Sequence, residues 1–89
     1  MKAVVTVVGK DMIGILAKVS TQCAKFGANI IDVTQSVLDG MFCMIMICDI
    51  SSLNSDFDSF ADGTAKLGDE MGMKIHVMHE DIFNSMHRI

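Results

Sequence analysis

The amino-acid sequence predicts an α+β fold in which helices pack on a four-stranded antiparallel sheet. Some segments alternate apolar and polar residues with a period of two, others repeat apolar residues every three or four positions, and glycines separate them. In chain order these segments predict β-α-β-β-α-β followed by a short C-terminal helix. Two β-α-β halves with right-handed crossovers, joined through a hairpin, form the ferredoxin-like sandwich, with strands one and three in the middle of the sheet.

The first strand and the first helix meet at a junction that contains two glycines. Ala3–Val8 is apolar on both faces, which predicts a central strand. Gly9 is expected to make the turn, Asp11 to cap the following helix with its carboxylate, and Gly14 to lie in the first helical turn. Because the free N–H groups of a helix N-terminus attract anions, this junction is suited to binding a small anionic group.

The first helix is predicted over Met12–Phe26, and Gly27 is expected to end it in the left-handed conformation. The apolar stripe of this helix is Met12, Leu16, Val19, Cys23 and Phe26. The second strand is predicted over Asn29–Leu38. Its alternation places Ile31, Val33 and Val37 on one face and Asp32, Thr34 and Ser36 on the other, which is typical of an edge strand.

Asp39-Gly40 predicts a two-residue hairpin, because both positions tolerate a positive φ. The third strand, Met41–Cys48, is apolar on both faces. Two helices cover only one side of the sheet, so a second subunit or the last helix is expected to cover the other side. A second helix is predicted over Asp56–Met71, with Ser55 or Asp56 as its N-cap and Gly72 as its end. The last two elements are predicted as a strand over Met73–His79 and a helix over Asp81–Arg88.

Composition limits the class of protein. At 89 residues the chain predicts a single domain, 1–89, and 51% of its residues are apolar. That is more apolar surface than a small monomer buries, which favours a homo-oligomer. Eleven acidic and seven basic residues leave a net charge of −4, which argues against nucleic acid and anionic membranes as partners. The three cysteines have no C-x-x-C spacing, which predicts reduced thiols and a cytoplasmic protein, and no apolar run is long enough to span a membrane.

Catalytic and metal-binding interpretations find little support in the sequence. His76 and His79 are three residues apart on a strand and should point to opposite faces, so we interpret them, with His87, as surface or interface residues. The loop after the first strand has no cysteine pair for a soft metal, and the central strands lack the aromatic residues that stack on RNA bases. The only arginine, Arg88, is predicted in the last helix rather than in a phosphate-binding loop. We therefore expect no catalytic residues, no metal and no cofactor.

Three motifs carry a family resemblance. They are Gly9-Lys10-Asp11-x-x-Gly14-Ile15-Leu16-Ala17, Gly27-Ala28-Asn29-Ile30-x-Asp32-Val33-x-Gln35, and the Asp39-Gly40 hairpin. With them, nearly the whole chain resembles an ACT domain, and it is most similar to small stand-alone bacterial ACT proteins of an uncharacterised group related to the glycine-cleavage-repressor type. Met12-Ile13 departs from the basic residue and proline that many members have there.

The resemblance implies a regulatory module that binds an amino acid or another small ligand at a subunit interface. The ligand-binding residues it implies are Gly9, Lys10, Asp11, Met12, Ile13 and Gly14 after the first strand, and Asn29, Ile30 and Ile31 at the start of the second. Asp11 has two readings, as the helix cap or as the group that holds a ligand ammonium.

We therefore predict a non-catalytic, cytoplasmic homodimer that senses a small metabolite, with an amino acid as the expected ligand and a protein partner that responds to binding. The alternative is a protein-interaction dimer that no longer binds a ligand. A more distant alternative is an enzyme whose site forms between subunits.

Overall fold

The computed structural model describes residues 1–10 and 14–86. Within them the secondary structure follows the predicted order. The elements are β1 (Lys2–Lys10), α1 (Ile15–Phe26), β2 (Asn29–Leu38), β3 (Met41–Asp49), α2 (Phe57–Met71), β4 (Lys74–His79) and α3 (Glu80–Met86).

The four strands form one antiparallel sheet in the order β2-β3-β1-β4. The central positions of β1 and β3 and the edge position of β2 confirm the sequence-based prediction. The β2–β3 hairpin is also confirmed, because Asp39 has φ 53° and Gly40 has φ 78°, the positive values that a tight hairpin with this twist requires.

The main hydrophobic core lies between the sheet and the pair α1 and α2. Alternate residues of β1 and β3 enter it, as the period of two predicts. The core residues of the strands are Ala3, Val5, Val7, Phe42, Met44, Met46, Cys48 and Ile75. The helices contribute Ile15, Val19, Cys23, Phe60 and Met71. Thr64 is the one polar side chain among the buried residues described, and its hydroxyl donates a hydrogen bond of 2.7 Å to the Phe60 carbonyl.

The second face of the sheet carries α3 alone. We call it the α3 face, because α1 and α2 lie on the other side of the sheet. Val4, which points to this face, is only 1% exposed, whereas Val8 is 39% and Ile45 is 38% exposed. The last helix therefore covers part of the face, as expected, and leaves an apolar remainder. The predicted continuation of α3 through Arg88 lies outside the described residues.

Helix α1 begins later than predicted, and this changes its buried stripe. Its first residue is Ile15, and Gly14 is the N-cap. From that start, Ile15, Val19 and Cys23 follow one another at intervals of four and face the sheet, while Leu16 is 39% exposed. The prediction that Leu16 belongs to the buried stripe is therefore wrong. The prediction for Met12 lies outside the described residues.

A β-bulge corrects the predicted faces of β2. Ile30 pairs with Cys48 and Asp32 pairs with Ile47, so Ile31 is the extra residue on the bulged strand. The bulge lets both Ile30 and Val33 pack against the core, while Ile31 is 49% exposed. Strict alternation places Ile31 with Val33, and the extra residue breaks that pattern.

Candidate functional site

Gly9 lies within β1 rather than in a turn. It is buried and pairs with Phe42 of β3, and the strand continues to the exposed Lys10. A β-carbon on Gly9 would collide with the Met73 side chain and would lie 3.4 Å from the Met73 Cα. The prediction of a turn at Gly9 is therefore wrong, because Gly9 is a paired strand residue whose missing side chain leaves room for Met73.

Gly14 is the N-cap of α1 and not a residue of its first turn, which corrects the second expectation for this junction. Its φ is 86°, in the left-handed region that favours glycine, and its carbonyl accepts a hydrogen bond of 3.0 Å from the Lys18 N–H. Among the described residues no side chain caps this end of α1. A β-carbon on Gly14 would have no atom of the described residues within 4 Å, apart from its chain neighbours.

Asp11, Met12 and Ile13 lie outside the described residues. The two readings of Asp11, as a helix cap or as the group that holds an ammonium, therefore both stay predictions. The same holds for the ligand contacts that the resemblance implies for Met12 and Ile13.

The second part of the predicted site is the start of β2. Asn29 is exposed and pairs with Asp49 of β3, Ile30 is half-buried, and Ile31 projects from the bulge. The hydroxyl and the backbone N–H of Ser51 hydrogen-bond to the Asp49 carboxylate and lower its pKa. An ionised carboxylate therefore lies beside Asn29, although Asp49 was not among the residues predicted for the site. Its only sequence signal was an acid at the end of an apolar strand.

The two parts of the predicted site lie at opposite ends of the sheet. Gly9 pairs with Phe42, whereas Asn29 pairs with Asp49. At about 3.3 Å per residue, the distance along β3 between those two partners is roughly 23 Å. A single chain therefore does not bring Gly9, Lys10 and Gly14 into contact with Asn29–Ile31.

A cleft of about 500 Å³ adjoins the end of β1. It is lined by Val8, Gly9, Lys10, Met41, Met71, Gly72, Met73 and Lys74. We call it the strand-end cleft. Methionine side chains adapt to the shape of a small apolar group, and two lysines provide positive charge for an anionic one. The resemblance supplied only Gly9 and Lys10 of this set, because the pairing that places Lys74 opposite Val8 cannot be read from local sequence.

The two histidines of β4 point to opposite faces of the sheet, as predicted. His79 stacks on Phe57 of α2, with 4.1 Å between ring centroids and 17° between ring planes. His76 is exposed on the α3 face, where it pairs in register with Thr6. His87 lies outside the described residues. The stack gives His79 a packing contact with α2, and His76 has the more open surroundings.

Cys23, Cys43 and Cys48 form no disulfide. A thiol–thiol hydrogen bond with Cys48, together with burial, raises the pKa of Cys23, which keeps Cys23 a neutral core thiol.

In the described part of the chain, no group of three or more histidine, cysteine or acidic side chains is arranged to hold a metal ion. Within residues 1–10 and 14–86, no helix is both long enough and apolar enough to cross a membrane.

Comparison with known proteins identifies the family. The family model described as an ACT domain matches residues 2–78. The chain belongs to the ACT domain family. A UPF0237 protein of Listeria monocytogenes is 46% identical to it over 89 residues, which is 100% of each chain. A UPF0237 protein of Methanocaldococcus jannaschii is 44% identical over 88 residues, 99% of this chain and 98% of the relative. UPF0237 is an uncharacterised group of proteins.

Solved structures confirm the ACT fold. An ACT domain protein from Streptococcus pneumoniae superposes with a TM-score of 0.82 at 40% sequence identity, over 93% of each chain. A protein named as a candidate transcriptional repressor of the glycine cleavage system superposes with a TM-score of 0.70 at 26% identity, over 85% of this ACT domain and 43% of that chain. The predicted resemblance to ACT domains, including the glycine-cleavage-repressor type, is therefore confirmed.

Proposed function

We propose that this ACT domain is a non-catalytic regulatory module that binds an amino acid between two copies of the chain. The observation that carries the proposal is the separation of the predicted ligand residues, because Gly9 and Lys10 lie at the opposite end of the sheet from Asn29. Two copies can bring these ends together, whereas one copy cannot.

The edge strand β2 provides a route to that assembly. It is 10 residues long, and among the described residues no strand pairs with its outer edge. Natural proteins usually protect such an edge, but beyond the bulge at Ile31 the stretch Val33–Leu38 contains no charged residue and no proline, which favours pairing with another strand. Antiparallel pairing of two β2 edges about a two-fold axis places the Asn29 end of one copy beside the Leu38 end of the other. That is the end of the sheet at which Gly14 begins α1.

The chemistry of the two ends suits a zwitterion. The first N–H groups of α1 have no side-chain cap among the described residues, so a ligand carboxylate can accept hydrogen bonds from them. Asn29 of the second copy offers an amide oxygen to the ligand ammonium, and the ionised Asp49 beside it adds negative charge. Lys10 adds positive charge at the carboxylate end. Asp11, Met12 and Ile13 complete the proposed contacts of this loop.

A regulatory rather than catalytic role is consistent with the placement of the reactive groups. His76 and His79 lie on opposite faces of the sheet, and Cys23 and Cys48 are buried thiols in the core. In this proposal ligand binding stabilises one arrangement of the dimer, and a protein partner in the reducing cytoplasm responds to it. Three cysteines without a disulfide fit that compartment.

Thermal unfolding of the purified protein with a panel of free amino acids, together with its mass in solution, tests the proposal. A ligand that binds only the folded state stabilises it by about 2.7 kcal/mol at one hundred times its dissociation constant. We expect a selective rise in melting temperature and a dimeric mass. No rise with any amino acid, combined with a stable dimer, would favour the protein-interaction dimer instead.

A pair of matched glycine variants locates the ligand. Gly14 and Gly72 both have a positive φ, 86° and 72°, and among the described residues no atom beyond their chain neighbours lies within 4 Å of a β-carbon placed on either. Gly14→Val and Gly72→Val therefore introduce similar backbone strain. We expect Gly14→Val to lose the ligand response and Gly72→Val to keep it. The reverse result would place the ligand in the strand-end cleft, which Gly72 lines and Gly14 does not.

A further inference from the structure

The α3 face of the sheet contains a second cleft, distinct from the proposed amino-acid site. It has a volume of about 470 Å³ and lies between the sheet and α3. Thr6, Ile45 and His76 contribute to its floor, and Phe83 and Met86 of α3 contribute to its wall. Small-ligand sites in proteins have volumes of about 300–1,000 Å³, so the cleft is large enough for a small molecule.

The apolar side chains around this cleft remain partly exposed. Val8 and Ile45 on its floor are 39% and 38% exposed, and Met86 on its wall is 65% exposed. No described residue of α3 is buried. This short helix therefore leaves apolar surface on the floor and wall of the cleft that a ligand can cover.

A hydroxyl and an imidazole line this cleft, and a lysine lies beside it on the same face of the sheet. Thr6 and His76 are direct cross-strand partners, so the hydroxyl and the imidazole lie side by side on the α3 face. Lys74 lies on the same face of β4, two residues before His76, and pairs with Val8. These groups can hold an anion through a hydroxyl, an imidazole and an ammonium.

The acidic residues of this face lie elsewhere. Asp32 belongs to the edge strand β2 and pairs with Ile47, in a row of the sheet that contains neither Thr6 nor His76. Glu80 and Asp81, at the start of α3, line a different cavity together with Met1. The chain as a whole has a net charge of −4, so a basic group beside an apolar floor is a local feature rather than a property of the whole surface.

We propose that the cleft under α3 binds a small monocarboxylate with an apolar body. The apolar body lies on Ile45 and Val8 beneath Phe83 and Met86. The carboxylate accepts hydrogen bonds from Thr6 and His76, with Lys74 nearby. This site uses none of the residues of the proposed amino-acid site, so either proposal can fail without the other.

Titration of the isotopically labelled full chain with octanoate, followed by NMR, tests the site. Octanamide is the matched probe, because it has the same apolar body and no charge. We expect saturable shifts at Thr6, Ile45, His76 and α3, and a dissociation constant about tenfold lower for octanoate than for octanamide, as suits a charge-assisted contact. Equal affinity for the two probes would contradict the proposed recognition of a carboxylate.

Two matched variants test the floor of the cleft. Ile45→Trp fills the floor and should weaken octanoate binding about tenfold. Ile47→Trp adds the same ring two residues further along the same face, outside the cleft lining, and should leave binding within about twofold. If Ile45→Trp fails to fold, intermolecular NOEs between octanoate and the methyl groups of Ile45 and Met86 in the wild-type protein provide the same test. Octanoate shifts located elsewhere would overturn the proposal.

His76→Gln tests the polar contact. It should weaken octanoate binding while leaving octanamide binding nearly unchanged, because an anionic carboxylate is the stronger acceptor for the imidazole N–H. An unchanged affinity for octanoate would overturn the role given to His76. If the residues of the cleft instead shift with protein concentration and not with octanoate, the face is occupied by a second copy and the ligand site is wrong.

Discussion

The side chain of Met73 occupies the space in which a β-carbon on residue 9 would lie, so Gly9 and Met73 form one packing unit. Gly9 lies near the end of β1, and Met73 precedes β4 and is 4% exposed. This contact aligns the end of the central strand with the start of its neighbour. It also places Gly9 and Met73 together in the lining of the strand-end cleft.

Gly9→Ala should therefore destabilise the protein by about 1–3 kcal/mol, because the added methyl group overpacks a buried contact. Met73→Ala alone should also destabilise it, through a cavity. In the double variant the added methyl group meets the space that the truncated side chain leaves. Urea unfolding of all four proteins should give a double variant more stable than the sum of the single changes predicts, and simple additivity would contradict this packing unit.

The two glycines within α2 should respond in opposite directions to alanine. A β-carbon on Gly68 would lie 2.6 Å from Ile75 Cγ1 and 3.0 Å from the Met73 carbonyl oxygen, whereas one on Gly63 would first meet the flexible end of Gln22 at 3.2 Å. We expect Gly63→Ala to stabilise the fold by up to about 1 kcal/mol through helix propensity. Gly68→Ala should be destabilising, because the backbone of a neighbouring segment cannot easily move away. Urea midpoints compare the two, and equal effects would show that helix propensity alone governs both sites.

The cap of α2 should make part of the stability dependent on pH. Asp56 accepts a hydrogen bond of 3.2 Å from the Ser59 N–H, and hydrogen bonding to Ser59 lowers the pKa of Asp56 below its ordinary value of 3.8. The carboxylate therefore stabilises the folded state at pH values above 3.8, and this contribution is lost as the pH falls through the lowered pKa.

Asp56→Ala should accordingly lower the melting temperature near neutral pH, and its difference from the wild type should shrink in strong acid. Asp62→Ala, an exposed position in the same helix, is the control. A difference that stays constant down to the acid limit would show that Asp56 acts through something other than its ionised cap.

The proposed dimer makes a prediction at the middle of β2. Thr34 lies near the centre of this strand, so a two-fold axis brings the two copies of this position close together. Thr34→Lys places like charges opposite each other and should weaken dimerisation, as sedimentation at several concentrations can measure. Ser59→Lys, on the exposed surface of α2, should leave the mass in solution unchanged. A Thr34→Lys protein that remains dimeric would move the interface away from the β2 edge.

Local sequence was sufficient for the parts of the fold that depend on neighbouring residues. Gly27 ends α1 with φ 77°, and Asp39-Gly40 makes the hairpin, because a positive φ is a property of the residues themselves. Asp56 caps α2 as one of the two residues considered. The apolar residues on both faces of β1 and β3 were sufficient to place these strands in the centre of the sheet, where each has a neighbouring strand on both sides.

Contacts between distant residues decided what the sequence could not. The bulge at Ile31 depends on the register between β2 and β3, and the start of α1 at Ile15 determines which residues face the sheet. Gly9 looked like a turn residue, and only the position of Met73 shows which side chain a larger residue at position 9 would displace. The strand-end cleft likewise depends on Lys74, which strand pairing places beside β1.

The sequence by itself determined the order of the elements, the ACT family and the residue types at both ends of the candidate site. The tertiary structure alone decided that those two ends lie roughly 23 Å apart. The physical reason is that periodicity and capping act over a few residues, whereas the distance between Gly9 and Asn29 depends on strand direction and register across the whole sheet. That separation is the reason why the proposed amino-acid site is built from two copies of the chain.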